Sequence, residues 1–316
     1  MAFLLLHNYT DFIKDLKIID VLLKNISQVV LISNKWTGLF ILIGLFVADW
    51  TIGLAAIVGS IIAYTFARFI NYSEAEVNDG LAGFNPVLTA IALTIFLDKS
   101  GLDIVITMIA TLLTLPVAAA VREVLRPYKV PMLTMPFVIV TWFTILLSGQ
   151  VKFVDTSLKL MPQNIETVNF SNNDRIHFIQ SLFEGFSQVF IEASVIGGVC
   201  ILIGILIASR KAALLAVIAS LLSFIIVALL GGNYDDINQG LFGYNFVLMA
   251  IALGYTFKTA INPYISTFLG VLLTVVVQLG TTTLLEPFGL PALTLPFIIV
   301  TWILLFAGIK HDKVDA

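Results

Sequence analysis

The chain is poor in cysteine, histidine and charge, and each shortage excludes a class of protein. Its single cysteine, Cys200, lies in an apolar run, so a disulfide framework is impossible. The three histidines, His7, His177 and His311, lie outside the apolar runs, so none can relay protons through them. Charged residues make up 12% of the chain, about half of the roughly 25% found in soluble domains. A disulfide-stapled domain and an ordinary soluble domain are therefore excluded.

Motifs for chemistry are also missing. The sequence has no metal-ligand cluster, phosphate-binding loop or nucleophile elbow. We therefore expect no enzymatic activity, no metal, no cofactor and no nucleic-acid partner. Coupled transporters usually carry an ionisable residue near the membrane midplane. Here the charged residues near apolar runs fall at the ends of those runs, and Glu192 alone is ambiguous, with a position at the external mouth favoured.

What the chain does contain is apolar sequence. Hydrophobic residues make up 59% of the chain and the mean hydropathy is +1.01. The apolar runs are long enough to cross about 30 Å of hydrocarbon as helices, and open strands would leave backbone groups unpaired in lipid. This predicts an all-α integral membrane protein. The predicted spans are 36–48, 50–70, 80–97, 102–121, 132–148, 193–208, 211–231, 240–257, 261–281 and 292–309.

These spans form two sets of five because the sequence repeats itself at an offset of 160 residues. Residues 80–93 return as 240–253, and 131–142 return as 291–302. An odd number of spans per repeat inverts the second repeat relative to the first. Thirteen of the 17 basic residues then fall on one side of the membrane, which makes that side cytoplasmic and places both termini there. The predicted organisation is a first repeat (1–148), an external linker (149–175) and a second, inverted repeat (176–316).

One further segment precedes each set of spans. Asp11–Val30 and Arg175–Ile191 read as short amphipathic helices that are too charged and too short to span. They could lie on the membrane surface or enter the membrane as re-entrant half-helices. The repetition of a glutamine near each end, Gln28 and Gln188, favours two re-entrant half-helices.

Each half also places a threonine inside a predicted span. Thr134 and Thr294 each stand two residues before a proline. Because proline has no N–H, the carbonyls of Met132 and Ala292 should lose their helical hydrogen-bond partners. These carbonyls and the threonine hydroxyls would then form a small polar site. Each threonine could instead bond back to its own helix. The pairing at one offset favours a pore lining.

Aromatic and leucine side chains repeat in the same way. Phe84 with Leu88 corresponds to Tyr244 with Leu248. These side chains could be ordinary core or flat walls around a planar solute, and their spacing does not decide between the two.

The doubled Gly-x-x-Gly-[Phe/Tyr]-Asn and Leu-Thr-x-Pro-Phe blocks, with the segment Gln28-Val-Val-Leu-Ile-Ser-Asn-Lys-Trp-Thr-Gly38, resemble the urea transporter family over about residues 11–309. The resemblance implies a bacterial homotrimer in the lipid bilayer of the cell inner membrane, with one passive urea channel per subunit. Backbone carbonyls, glutamine and threonine would form its filter between apolar and aromatic walls.

The resemblance also assigns roles to residues of this chain. Gln28 and Gln188 would bond the amide groups of urea, and Thr134 and Thr294 would line the middle of the path. The remaining wall residues are Phe84, Leu88, Tyr244 and Leu248.

Three departures from the family pattern bear on the substrate. Some relatives carry phenylalanine three residues after each glutamine, where this chain has Leu31 and Ile191. Tyr244 replaces a phenylalanine, and Pro86 replaces a small residue. These changes could widen the slot or shift preference toward related amides.

Three alternatives remain open. A water or small neutral solute channel is suggested by Asn85-Pro86, but the second copy reads Asn245-Phe246, so the motif is not doubled. An ion-coupled transporter of small amides would need Glu192 or another carboxylate at mid-depth. A membrane scaffold would not explain paired Gln and Thr residues inside lipid.

Overall fold

A computed structural model describes residues 17–151, 154–160 and 175–308. Regular structure in these ranges is helical, with one isolated antiparallel bridge between Leu97 and Thr156. The all-α prediction is therefore confirmed. The start of the first predicted half-helix (11–16), most of the linker and the last eight residues lie outside the described ranges.

Each half of the described chain contains seven helices in the same order. The first half comprises α1 (Lys17–Val30), α2 (Lys35–Ala48), α3 (Trp50–Phe66), α4 (Glu74–Asn78), α5 (Phe84–Phe96), α6 (Gly101–Leu125) and α7 (Met135–Leu147). The second comprises α8 (Phe178–Ser187), α9 (Val195–Ala208), α10 (Arg210–Leu229), α11 (Tyr234–Asn238), α12 (Tyr244–Ile251), α13 (Pro263–Leu285) and α14 (Leu295–Phe306). The short helices α4 and α11 were not predicted.

Apart from the 5-residue helices α4 and α11, these elements are of three kinds. Four of the described helices, α3, α6, α10 and α13, are long and apolar enough to cross a membrane. The pairs α1–α2 and α8–α9 are bent by 78° and 77°, as a broken span or a re-entrant loop would be. The helices α5, α7, α12 and α14 are shorter: a 13-residue helix such as α7 rises only about 20 Å. The protein is a multi-pass membrane protein, and the count of ten spans stays a prediction.

Two glycines permit the sharp bends. A Cβ on Gly38 of α2 would lie 1.9 Å from the Leu23 carbonyl oxygen of α1. A Cβ on Gly198 of α9 would lie 1.7 Å from the Phe183 carbonyl oxygen of α8. No side chain fits either gap, so glycine is what lets each helix fold back against its neighbour.

The two halves meet through reciprocal contacts. The Trp142 indole donates to the Pro291 carbonyl (2.9 Å), and the Trp302 indole donates to the Pro131 carbonyl (2.8 Å). These two bonds are interchanged by the 160-residue offset. Such exchange is what a two-fold relation between equivalent surfaces produces.

Helices α2 and α9 form a second part of this contact. The Thr37 hydroxyl donates to the Gly204 carbonyl (2.7 Å), and a Cβ on Gly44 would lie 2.9 Å from the Gly197 carbonyl oxygen. Small residues here let the two backbones approach closely, as at other helix contacts in membranes. One apolar core then runs through both halves.

Candidate solute pathway

The two threonines singled out by the sequence meet in the buried interior of the molecule. The Thr134 and Thr294 hydroxyl oxygens lie 2.7 Å apart, within hydrogen-bonding distance. Each threonine precedes the first residue of a short helix, Met135 of α7 or Leu295 of α14. Both side chains are buried. The hydroxyls therefore bond to each other and not back into their own helices.

The expected role of the prolines is wrong. Pro136 lies in the first turn of α7, where its missing N–H costs no helical hydrogen bond. The Met132 carbonyl accepts from Met135 N–H (3.3 Å), and the Ala292 carbonyl accepts from Leu295 N–H (3.2 Å). These carbonyls are therefore not free, and the polar site consists of the two threonine hydroxyls.

A left-handed residue sets each threonine in place. Leu133 has φ of 50° and Leu293 has φ of 48°. This conformation is unfavourable for a branched side chain, so neighbouring groups must hold it. The backbone turns at these two residues, which lets α7 and α14 begin directly after the threonine pair.

Two asparagines supply that support, and they were not among the predicted site residues. In the first half, the Asn85 amide donates to the Leu133 carbonyl (3.1 Å) and its Oδ1 accepts from Phe137 N–H (3.1 Å). In the second half, Asn245 holds the Leu293 carbonyl (3.3 Å) and Phe297 N–H (3.2 Å). The repeated Asn after the aromatic residue was the signal that could have identified them.

The second half adds further bonds to this arrangement. The Tyr244 hydroxyl donates to the Leu293 carbonyl (2.9 Å), beside Thr294. The Asn245 amide also donates to the Gln278 side-chain oxygen (2.5 Å). Phe84 and Ala118 occupy the corresponding positions in the first half. The hydroxyl of Tyr244 therefore anchors backbone next to the threonine pair.

The two glutamines make equivalent bonds in the two halves. The Gln28 amide donates to the Asp79 carbonyl (2.9 Å), and the Gln188 amide donates to the Gln239 carbonyl (3.1 Å). Within the described residues, neither side-chain oxygen accepts a hydrogen bond. The two glutamines bond to their own halves and not to each other.

Each glutamine begins a turn of 3₁₀ helix that ends in a left-handed residue. Leu31 has φ of 61° and Ile191 has φ of 64°. Leu31 N–H donates to the Gln28 carbonyl (2.9 Å), which is the last hydrogen bond of this turn. The carbonyls of Val29 and Val30 follow in the chain and lie outside the hydrogen-bonded turn. Leu31 also lines a cavity of about 350 Å³ with Tyr255 and Thr256. The Thr256 hydroxyl donates to the Leu31 carbonyl (3.3 Å).

The other predicted wall residues lie in the core beside these turns. Phe84 and Leu88 are buried in α5, which contacts both the 28–30 turn and the 188–190 turn. Leu248 is buried in α12, which contacts the 188–190 turn. Helix α5 therefore lies next to both glutamine-bearing turns.

Comparison with known proteins identifies the family of the chain. The urea transporter family model matches residues 19–309. The chain belongs to the urea transporter family. Urea transporter 1 of Ovis aries and Urea transporter 1 of Rattus norvegicus are each 27% identical to it over 315 residues, covering 97% of this chain and 82% of the relative.

Membership of this family gives the protein a role in transport across membranes. Two acidic residues matter for how such transport could be driven. Glu192 lies half-buried in the turn between α8 and α9 and not within a helix. Glu184 is 8% exposed within α8, one turn before Gln188, and accepts from the Gln180 amide (2.9 Å). Glu184 was not among the predicted site residues.

Proposed function

We propose that this protein is a passive urea channel whose pathway runs between its two halves. It would act as a homotrimer in the bacterial inner membrane, with ten spans and two re-entrant half-helices in inverted repeats and both termini cytoplasmic. The observation that carries the proposal is the Thr134–Thr294 hydroxyl pair between the halves, together with helix α5, which contacts α7 and both glutamine-bearing turns. Family membership supports urea as the solute.

The glutamines supply acceptors for the N–H groups of urea. Each amide nitrogen is held by its own half, which fixes the side chain and leaves Oε1 free to accept. The carbonyls of Val29 and Val30 extend this set at the end of α1, where helix carbonyls lack intrahelical partners. A neutral, planar donor of several hydrogen bonds can replace its hydration on such acceptors.

The threonine pair is the polar contact between the halves on this path. A passing urea would exchange one hydroxyl–hydroxyl bond for bonds to each hydroxyl. A typical hydrogen bond contributes only about 0.5–1.5 kcal/mol net, so the exchange costs little. The small cost favours flow in either direction without an energy source.

The runner-up is an ion-coupled transporter of small amides. It is favoured by one observation, the buried carboxyl of Glu184 beside the second glutamine-bearing turn. Buried carboxyls in transporters often carry protons. This alternative requires that flux depend on an ion gradient and on Glu184.

Reconstitution in liposomes tests the proposal. Urea shrink–swell rates without any ion gradient should exceed those of empty liposomes, and Gln188→Leu should lower the rate about fivefold, since losing one bond costs about 1 kcal/mol. Gln150→Leu, at an exposed glutamine in the turn after α7, is the matched control and should leave the rate unchanged.

Three results would contradict this scheme. An absence of urea flux above empty liposomes refutes the channel, and an unchanged rate in Gln188→Leu removes that residue from the filter. Flux that appears only with a proton or sodium gradient, and that is lost in Glu184→Gln, promotes the coupled transporter.

A further inference from the structure

The cavity of about 350 Å³ beside Leu31 opens between the two halves, at the end of the first glutamine-bearing turn. Asn34 lines it from the first half, and Tyr255 and Thr256 line it from the second. Its volume falls within the roughly 300–1,000 Å³ that is typical of small-molecule sites, and its wall is mostly polar. The bond from the Thr256 hydroxyl to the Leu31 carbonyl joins this wall to the turn that carries Gln28. A solute in the cavity would therefore lie next to that turn.

A turn of π-helix shapes the second-half wall of this cavity. The turn, Ala252–Thr256, follows α12 directly. The corresponding helix of the first half, α5, stays α-helical through Phe96. Turns of π-helix are rare and often occur at functional sites. Tyr255 and Thr256 are the last two residues of the turn, so it is the turn that brings both side chains to the cavity.

Two hydrogen-bond donors at the cavity have no partner within the described residues. Asn34 Oδ1 accepts from Trp36 N–H (2.9 Å) and from Thr37 N–H (3.1 Å) at the start of α2. These bonds fix the orientation of the amide and leave its two N–H groups free to donate. The second donor is the Tyr255 hydroxyl. Asn34 is half-buried and Tyr255 is 44% exposed, so a solute can reach both.

The equivalent place in the other half lacks the amide and the phenol. At the offset of 160 residues, Ser194 stands for Asn34, Ile95 for Tyr255 and Phe96 for Thr256. Ser194 caps α9 with its hydroxyl and carries no amide. The Phe96 carbonyl accepts from the Thr156 hydroxyl (2.7 Å), so part of the linker packs here. The cavity with its two donors therefore belongs to the Gln28 turn and not to the Gln188 turn.

We propose that this cavity binds urea by its carbonyl oxygen before the solute passes the Gln28 turn. The Asn34 amide and the Tyr255 hydroxyl would donate to that oxygen. The proposed filter offers acceptors, Gln28 Oε1 and the carbonyls of Val29 and Val30, which suit the N–H groups of urea and not its oxygen. The cavity supplies the opposite hydrogen-bonding chemistry. This inference rests on the proposed function and adds to it an entry site that holds urea in one orientation.

Urea flux measured over a range of concentrations, with the full chain in liposomes, tests this site. Asn34→Ser with Tyr255→Phe removes both donors and keeps a capping hydroxyl for α2, as Ser194 does for α9. The half-saturating urea concentration should rise about tenfold, as expected from the loss of two hydrogen bonds. The maximal rate should change less than about twofold, because the filter is intact.

A matched control changes the same residue types elsewhere. Asn262 caps α13 as Asn34 caps α2, and Tyr128 is exposed. Neither residue lines the cavity. Asn262→Ser with Tyr128→Phe should therefore leave both the half-saturating concentration and the maximal rate unchanged.

Thiourea separates the oxygen contact from a general change of structure. It carries the N–H groups of urea, but its sulfur is a weaker acceptor than oxygen. The wild type should need at least fivefold more thiourea than urea for half-saturation. The variant Asn34→Ser with Tyr255→Phe should lower this ratio to about one, because only urea loses its bonds. If the double variant fails to fold, Tyr255→Phe alone should raise the half-saturating urea concentration about threefold.

The outcomes distinguish the entry site from the channel itself. An unchanged half-saturating urea concentration in the variants overturns the entry site, and so does an equal loss of affinity for urea and thiourea. Wild-type flux that rises linearly with urea concentration also overturns it, because no site then fills ahead of the filter. An absence of urea flux from the wild type refutes the proposed function, and the entry site with it.

Discussion

The two halves of this protein share a backbone plan but differ in what surrounds it. Gln28 and Gln188 bond to equivalent carbonyls, and Leu31 and Ile191 adopt the same left-handed conformation. The groups that face the proposed pathway are thus preserved. A path related by two-fold symmetry requires only that these backbone and amide groups be kept in both halves. The residues around them are therefore free to differ.

The divergence takes a different form in each half. In the second half the Tyr244 hydroxyl bonds the Leu293 carbonyl and Gln278 bonds Asn245, whereas the first half has Phe84 and Ala118 at the positions of Tyr244 and Gln278. The first half instead leaves a cavity between α3, α5 and α6. Three sets of variants test whether the shared plan or the divergent surroundings control stability.

The largest expected effect falls on the glycines at the bends. Gly38→Ala and Gly198→Ala should each destabilise the protein by more than about 3 kcal/mol, because a Cβ would meet backbone atoms that cannot rotate away. Thermal unfolding in detergent measures the loss. Gly280→Ala is the control, since a Cβ there meets nothing within 4 Å. A large loss from only one of the two bend variants would show that the bends are not equivalent.

An intermediate effect is expected at the threonine pair. Thr134→Val and Thr294→Val should each cost about 1–3 kcal/mol, because each leaves the partner hydroxyl buried and unpaired. The double variant should cost no more than either single variant, since no hydroxyl is then left unpaired. Unfolding of the four proteins gives this double-mutant cycle. Additive losses would mean that the hydroxyls do not bond to each other.

The smallest expected effect distinguishes the halves. Tyr244→Phe makes the second half resemble the first and should cost about 0.5–1.5 kcal/mol, since the Leu293 carbonyl keeps its bond to Asn245. The exposed Tyr128→Phe serves as the control and should be neutral. If Tyr244→Phe is as neutral as Tyr128→Phe in thermal unfolding, the extra hydroxyl contributes nothing to holding Leu293.

Much of this fold could be predicted from hydrophobic runs and the repeat. The runs located α2, α3, α9 and α10 closely, because their ends coincide with capping residues such as Asn34 and Asp49. The offset of 160 residues predicted that Thr134 and Thr294 act as a pair. Both are direct consequences of sequence pattern.

The start of α7 could not be predicted in the same way. The run 132–148 is continuous and has no glycine before residue 148, so nothing in it indicates a left-handed Leu133. That conformation depends on Asn85, which is 48 residues away in sequence. A tertiary contact of this kind overrides local propensity. It also explains why the prediction of free carbonyls at Met132 and Ala292 was wrong.

The reciprocal tryptophan bonds have a mechanical consequence. Rocking one half against the other would strain Trp142–Pro291 and Trp302–Pro131 at the same moment, together with the Thr37–Gly204 bond. These three hydrogen bonds hold the two halves together and resist hinge motion between them. We therefore expect passage of solute to depend on rotation of small side chains within a stationary scaffold, with turnover limited by diffusion and not by a conformational cycle.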